Sequence, residues 1–425
     1  MGKLCKSEGE ATSEVRILDS PLKKSFLVVL IYGVLVSHAA YAQQDPAKID
    51  DPVANARFHF GVIALDPRAA IQNVGVDTNV FNTATDKQSD FTITVTPGTK
   101  LYMRTGKGLL TIDGSLEFVH FVKFDTERSI NSAGSGQYEL RFNRIRPYVS
   151  ASTLNTRQRP GFEIDARARH FENDYRIGTD FKVASKSTAR LEYRNAAIAF
   201  DGDAVFGGRP LNQELNRTLK IADLSWRQNL TALTTWVTHF SRQTERFEFE
   251  PTRNADSTRF STGFELGRFA LIRGAAFVGY RHLTPADGGL IPTFSGVTSD
   301  INVSYTAPSQ TRLGLAVDRD LEYSYDVFTP YYIQTGWTAT LTQRVVGRWD
   351  AQLTGGRDSL AYQGLLAVSS LERTDFVGRF GGGIGYALGD NVRASFDVQS
   401  FNRSSDKPGR EYGGIRAGMS VTYGY

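Results

Sequence analysis

Residues 109–124 read LLTIDGSLEFVHFVKF, and apolar and polar side chains alternate along them for longer than in an ordinary soluble strand. One set of positions is apolar: Leu110, Ile112, Leu116, Phe118, Val122 and Phe124. The positions between them are polar or charged: Thr111, Asp113, Ser115, Glu117 and Lys123. Because successive side chains of a strand point to opposite faces, the pattern predicts a long strand with one apolar face and one wet face.

The same alternation recurs from about residue 69 to the end of the chain, interrupted by Gly, Pro, Asp, Asn and Ser. Clear examples lie at 174–183, 189–199, 257–267, 297–305, 312–325 and 391–401. We count about 18 such stretches, and single-chain bacterial barrels have even strand numbers. The sequence therefore predicts an all-β fold of about 18 strands, with 16 as the second choice. No gap between stretches is long enough for an extra soluble domain or a plug.

A soluble β-protein also alternates, so the environment of the two faces needs separate evidence. The stretches are long, and the polar face is charged along its whole length, which suits a water-filled lumen. Tyrosines recur near stretch ends, as in interfacial girdles: Tyr323, Tyr325, Tyr331, Tyr332, Tyr362, Tyr386, Tyr423 and Tyr425. We therefore predict a transmembrane, antiparallel, up-and-down β-barrel. A mean hydropathy of −0.30 agrees, since a spanning strand is apolar only at alternate residues. A secreted soluble β-protein is the alternative.

The N-terminal segment indicates export. Lys23 and Lys24 precede an apolar run at 26–36, which is too short for a spanning helix of roughly 20 residues. Ala40-Tyr41-Ala42 then places small residues at the −3 and −1 positions of a cleavage site. These features predict a signal peptide at 1–42, a short periplasmic lead-in at 43–68 and a barrel at 69–425, located in the outer membrane of a Gram-negative bacterium. An uncleaved membrane anchor is the alternative.

The last stretch, 415–425, reads IRAGMSVTYGY and ends on Tyr423 and Tyr425. A terminal amphipathic strand that ends in an aromatic residue resembles the signal read by the barrel assembly machinery, which we expect as a partner. This strand must also pair with the first one, because a barrel spanning lipid can have no free edge. The alternative is chance, since aromatic residues make up 12% of the chain.

Motifs for catalysis, cofactors and metals are missing from the sequence. Cys5 is the only cysteine and lies upstream of the predicted cleavage site, so the mature chain has no thiol chemistry. The six histidines are scattered, and no metal-binding or nucleophile motif appears. We expect no enzyme, no cofactor and no metal. The net charge of +4 forms no cluster or stripe, so we expect no nucleic-acid partner.

The charged positions of the wet faces are the candidate functional residues. We predict that they line the lumen: Arg176, Asp180, Arg190, Glu192, Arg312, Asp318, Arg393 and Asp397. Any of them could equally serve a structural charge network. Arg319 lies on the apolar face of its stretch, where an arginine costs about 2–4 kcal/mol at the bilayer midplane, so we expect it near a rim.

Residues 74–81 read VGVDTNVF and are followed by SDF at 89–91 and VTPG at 95–98. These segments resemble the opening of the family described as putative β-barrel porin 2, and the similarity continues more loosely through Arg217-Thr218 and 219–282. Members are often encoded beside exopolysaccharide synthesis genes and have no catalytic residues to transfer. The resemblance implies a barrel that passes, or helps to pass, a secreted polysaccharide across the outer membrane. It also implies a glycan and a periplasmic polysaccharide-export protein as partners.

Three functions remain open at this stage. The first is a porin-like conduit for polysaccharide export, in which many weak contacts let a chain slide. The second is a general diffusion porin for small solutes. The third is a non-conducting structural or adhesive barrel, which a lumen filled by its own loops would favour. In each case we expect the barrel to contact outer-membrane lipid and lipopolysaccharide.

Overall fold

The structure, a computed structural model, describes residues 51–267, 270–286, 290–307, 310–365 and 372–424. In that part, eighteen long strands pair antiparallel in chain order, and the last pairs with the first. The prediction of a closed 18-strand barrel is thereby confirmed. The predicted cleavage site at Ala40 and Ala42 and the final Tyr425 lie outside the described residues.

The barrel strands are β1 (Ile63–Asp77), β2 (Asp90–Thr105), β3 (Gly108–Phe121), β4 (Ser129–Leu140), β5 (Ile145–Thr156), β6 (His170–Ala184), β7 (Ser187–Phe200), β8 (Arg217–Asn229), β9 (Thr234–Phe247), β10 (Ala255–Leu266), β11 (Ile272–Pro285), β12 (Phe294–Thr306), β13 (Thr311–Tyr323), β14 (Tyr331–Val346), β15 (Trp349–Gln363), β16 (Thr374–Ala387), β17 (Val392–Ser404) and β18 (Tyr412–Tyr423). Two short helices, α1 (Pro52–Asn55) and α2 (Leu211–Leu215), are not part of the sheet that forms the wall. No helix in the described ranges is long and apolar enough to cross a membrane.

The barrel begins earlier than the sequence suggested. β1 starts at Ile63, so residues 63–68 belong to the first strand and not to the lead-in. Pro67 lies within this strand, and β18 pairs with β1 only from Ala69 onwards. Because no ladder partner faces Pro67 on that side, its missing N–H costs no hydrogen bond there. A short strand, Phe58–Phe60, pairs with the first residues of β1.

The two faces of the wall follow the alternation in the sequence. Tyr148 on β5 donates a hydrogen bond to Glu192 on β7, and Arg393 on β17 pairs with Asp350 on β15. Side chains two strands apart meet only on the concave side of a sheet, so the polar face lines the lumen. Apolar residues such as Leu313, at 49% exposure, point outwards. That face suits the hydrocarbon of a bilayer.

The two ends of the barrel differ in their connections. At one end the strands are joined by turns of two to five residues, and at the other by loops of seven to sixteen residues. In bacterial barrels the short turns are periplasmic and the long loops extracellular. We therefore call these the periplasmic end and the outer end. The large clusters of buried side chains lie at the outer end, where loops and strand tips pack together.

Candidate functional site: the lumen and its outer mouth

Several of the predicted lumen residues form cross-strand ion pairs. Asp180 and Arg190 face each other on β6 and β7, and both oxygens of the carboxylate accept hydrogen bonds, at 2.5 and 2.9 Å. Arg176 pairs with Asp174 on its own strand at 2.7 Å. Partly exposed pairs contribute about 0–1 kcal/mol each, so their main effect is to balance charge along the wall.

The remaining predicted residues have mixed surroundings on the same face. Asp318 accepts a hydrogen bond from the Gln334 amide at 3.2 Å, and Asp397 accepts one from the Ser395 hydroxyl at 2.7 Å. Within the described residues no ion pair involves Arg312, which is exposed near the periplasmic end of β13. The candidates are thus spread around the wall, and the structure does not gather them into one site.

The outer mouth holds a segment that turns into the barrel. Residues 157–169, between β5 and β6, form what we call the inner loop. Phe162 and Ile164 are buried in two different apolar clusters, and Glu163 between them is only 2% exposed. A loop on the barrel surface would leave these side chains in water, so the loop fills the mouth.

Glu163 is held by the opposite side of the barrel. The Ser324 hydroxyl donates to Glu163 Oε1 at 2.6 Å, and the Tyr325 N–H donates to Oε2 at 3.0 Å. Ser324 and Tyr325 follow β13, which is eight strands away from β5 in a ring of eighteen. The inner loop is therefore tied to the far wall.

Two arginines near the β17–β18 connection secure the backbone of the same loop. Arg403 donates to the Phe162 carbonyl at 2.7 Å, and Arg410 donates to the Glu163 carbonyl. Both guanidinium groups also lie near the Asp165 carboxylate, at 3.3 and 3.5 Å. Hydrogen bonds from charged donors contribute about 1.5–3 kcal/mol each, so these contacts fix the loop strongly.

Burial affects the acidic groups of the inner loop. It raises the pKa of Glu163, although the hydrogen bonds from Ser324 and Tyr325 and the charges of Arg410 and Arg403 oppose the rise. The pKa of Asp165 is raised for the same reason. The anchored position of the inner loop is thus linked to protonation, because the buried form of Glu163 binds a proton more readily than an exposed one would.

Simple geometry shows that the loop cannot close the mouth alone. With about 4.8 Å between strands, an 18-strand barrel with typical tilt is about 36 Å across. A 13-residue segment that leaves and re-enters neighbouring strands reaches at most about 22 Å. The remaining distance must be covered from the opposite wall.

The tip of the β13–β14 hairpin covers that distance. Leu321 and Tyr323 lie on the same side of β13 as the residues that point to lipid further from the outer end. They are nevertheless only 3% and 8% exposed. The Tyr323 ring packs edge-on against Phe247, which lies on the lumen face of β9, with ring centroids 5.0 Å apart. The hairpin tip therefore leans into the mouth.

This lean opens a seam in the outer part of the wall. β12 and β13 pair only from Ser299 opposite Arg319 down to Thr306 opposite Arg312. At the seam, Arg319 donates to the Val297 carbonyl at 3.1 Å and to the Thr335 hydroxyl at 2.6 Å. Arg319, which interrupts an apolar face in the sequence, thus donates to a carbonyl that has no strand partner on this side.

Arg253 locks the hairpin tip to two neighbouring loops. Its guanidinium donates to the Glu214 carbonyl at 2.7 Å, to the Pro330 carbonyl at 2.9 Å and to the Ser324 carbonyl. Burial lowers its pKa to about 10, so it stays charged at neutral pH. One buried cation therefore connects the loops at 201–216, 248–254 and 324–330.

One expectation from the sequence is corrected by this arrangement. Five of the eight tyrosines assigned to an interfacial girdle are buried in the mouth: Tyr323, Tyr325, Tyr331, Tyr332 and Tyr362. The gaps between strands are too short for a separate plug domain, as expected from their lengths, but the 13-residue inner loop still packs into the outer mouth.

The inner loop was missed because it is short. The signal was present: Pro160-Gly161 breaks the alternation, and Phe162, Ile164 and Ala166 then flank the acids Glu163 and Asp165. An apolar pattern directly after a Pro-Gly break, in a segment that should be an exposed loop, indicates a loop that packs inwards.

The sequence profile of the family described as "Putative beta-barrel porin 2" matches residues 177–425, more than half of the chain. This chain belongs to that family. It is a porin-like β-barrel of the outer membrane, as the resemblance at 74–81 had implied. No curated protein matches the chain.

Solved structures of outer-membrane barrels are similar in outline to this member of the porin 2 family. A BenF-like porin from Pseudomonas fluorescens Pf-5 matches with a TM-score of 0.47 and 9% identity, covering 84% of this chain and 98% of that one. The outer membrane protein opdK from Pseudomonas aeruginosa matches at 0.45 and 9%, covering 84% and 98%. A bacterial polysaccharide outer membrane secretin matches at 0.33 and 11%, covering 84% and 97%. These three TM-scores are below 0.5, so the matches carry no information about function.

Proposed function

We propose that this protein is a conduit for export of a secreted polysaccharide, with an outer mouth that is closed at rest. The observation that carries the proposal is the combination of a charge-balanced lumen wall and an inner loop anchored across the mouth. A wall of paired charges offers many hydrogen bonds without one strong binding site. Such a lining suits a long hydroxylated chain that must move.

Membership of the porin 2 family supports a polysaccharide as the transported molecule. The resemblance that identified the family also associates its members with exopolysaccharide synthesis genes. A closed mouth fits an exporter better than a general diffusion porin, because a diffusion porin depends on a permanently open path. The closure agrees with a channel that opens when a chain arrives from the periplasm.

Deletion of the gene tests the role in export. We expect surface polysaccharide to fall in the deletion strain and to return when the intact gene is supplied. A gene that carries only Glu163→Ala, with the eight lumen candidates unchanged, should also restore export in the deletion strain, because this substitution only loosens the closure. Normal surface polysaccharide in the deletion strain would remove the basis for an export function.

A non-conducting structural barrel is the second candidate. The anchoring of Glu163, Phe162 and Asp165 by buried hydrogen bonds favours it, since a permanently closed mouth would conduct nothing. The two candidates predict different results. If the protein is a conduit, removal of the inner loop yields a large conductance and deletion of the gene abolishes export. If it is a structural barrel, deletion of the gene leaves export intact.

A further inference from the structure

A groove runs along the outside of the barrel at the outer ends of β3 and β4. We call it the rim groove, and it measures about 470 Å³. Its lining consists of Phe118, Val119, His120, Arg128, Ser129, Ile130 and Arg169. Phe118 and Ile130 stand opposite each other in register and point outwards, as their exposure shows. The groove therefore joins the apolar outer wall to a basic rim.

The two arginines of the rim groove are oriented but not neutralised. Arg128 donates to the carbonyls of Phe121 and Val122 at 2.8 and 3.1 Å, and Arg169 donates to the Asn155 side chain at 2.7 Å. Across the described ranges, neither guanidinium lies within ion-pair distance of a carboxylate. A guanidinium has five N–H donors, so each arginine keeps donors for a ligand.

Several arginines inside the lumen are placed differently. Arg190 and Arg393 pair with Asp180 and Asp350, and Arg281 contacts two carboxylates. The charge of these three lumen arginines is thus balanced, whereas that of Arg128 and Arg169 at the rim is not.

Acidic groups lie nearby, but they belong to an adjoining cavity on the side of the mouth. That cavity, of about 320 Å³, shares Arg169 with the rim groove and is also lined by Arg157, Arg167, Asp201 and Asp203. Arg167 lies 3.4 Å from Glu127. The lining of the rim groove itself contains no carboxylate.

We propose that the rim groove binds a phosphorylated glycolipid of the outer leaflet. Its phosphate would accept hydrogen bonds from Arg128 and Arg169, and its acyl chain would lie against Phe118 and Ile130. Planar guanidinium groups match phosphate oxygens well, and the position at the outer end of an apolar wall is where headgroups of the outer leaflet lie. Such binding requires the location in the outer membrane but does not depend on the proposed export function.

Binding of lipid A to the purified, folded full-length protein in detergent, followed by native mass spectrometry, tests the proposal. We expect the double variant Arg128→Gln/Arg169→Gln to bind the bisphosphorylated lipid about tenfold more weakly, since losing such charge-assisted bonds costs at least one decade in affinity. The control Lys186→Gln/Arg348→Gln removes the same charge from exposed turns at the periplasmic end. It should bind as the unmodified protein does.

Two further measurements use the unmodified protein, so they do not depend on the folding of a variant. Dephosphorylated lipid A should bind about tenfold more weakly than the phosphorylated form, since the arginine–phosphate bonds are lost. Inorganic phosphate at millimolar concentration should not displace the lipid, because it lacks the acyl chain. Equal binding by the rim variant and its control, equal binding of both lipid forms, or displacement by inorganic phosphate would each overturn the proposal.

Discussion

Ser324, in the turn after β13, donates a hydrogen bond to the buried carboxylate of Glu163 on the opposite side of the barrel, at 2.6 Å. This contact joins two segments of the chain that are 161 residues apart in sequence. It connects the inner loop, which is too short to span the mouth alone, with the inward-leaning hairpin tip. The closure of the outer mouth therefore depends on this contact and on the bonds beside it.

Replacing Glu163 with alanine should loosen the closure. The variant loses the bonds from Ser324 and Tyr325, and we expect the open probability in planar bilayers to rise about tenfold or more. Asp180→Asn is the matched control, because it removes a lumen carboxylate that does not touch the inner loop. An unchanged open probability in Glu163→Ala would show that these bonds do not hold the mouth closed.

Closure should also depend on pH through Glu163. Its pKa is raised in the closed state, so the closed state binds the proton more tightly than an open state with an ordinary pKa near 4.5. The closed state therefore gains stability as pH falls through the raised pKa and loses it as pH rises. We expect conductance to increase from acidic to neutral pH. Glu163→Gln, which cannot ionise, should lose part of this dependence and keep the part due to Asp165, whose pKa is also raised. A pH profile that is identical in the variant would assign the effect to other groups.

Arg319 offers a test whose sign separates two interpretations. If it merely pointed to lipid, Arg319→Met would stabilise the protein. Because it satisfies the Val297 carbonyl at the seam, we expect the variant to lower the free energy of unfolding by about 1–3 kcal/mol. Arg242→Met, on an outward-facing exposed position of β9, serves as the control and should be neutral or stabilising. Urea titration in detergent measures both, and a stabilised Arg319→Met would refute the role at the seam.

The lumen should be reachable by water from the periplasmic end. Since the only cysteine, Cys5, precedes the predicted cleavage site, single cysteines can be introduced without background. A membrane-impermeant thiol reagent should label Ser150→Cys, on the lumen side of β5, much faster than Ser324→Cys, which is fully buried in the mouth. Equal labelling rates would mean that the lumen is not open on that side.

The sequence predicted the wall well and the mouth poorly, for a physical reason. Alternation is a local property, so strands such as β3 and β7 could be recognised from their own residues. The burial of Tyr323 could not be recognised in this way, because its place on the outer face depends on whether β12 continues to pair beside it. The same holds for Glu163, whose partners lie on distant strands. Contacts of this kind are set by the three-dimensional path of the chain and leave little trace in the local pattern.

Arg319 shows that the exception to a pattern carried information. Its position on an apolar face was visible in the sequence, and the cost of such a position suggested a rim. The structure adds what the pattern could not contain, namely the unpaired Val297 carbonyl that the arginine satisfies. Residues that break an alternation are therefore useful markers of places where the wall itself changes.

The proposed conduit has an aqueous lumen that the inner loop closes at the outer mouth. Its most direct test is the single-channel conductance of the intact protein compared with a variant in which residues 159–166 are replaced by a short Gly-Ser linker. We expect rare, small openings for the intact protein and a large, steady conductance for the variant. A large, steady conductance of the intact protein, or a variant that stays closed, would contradict it.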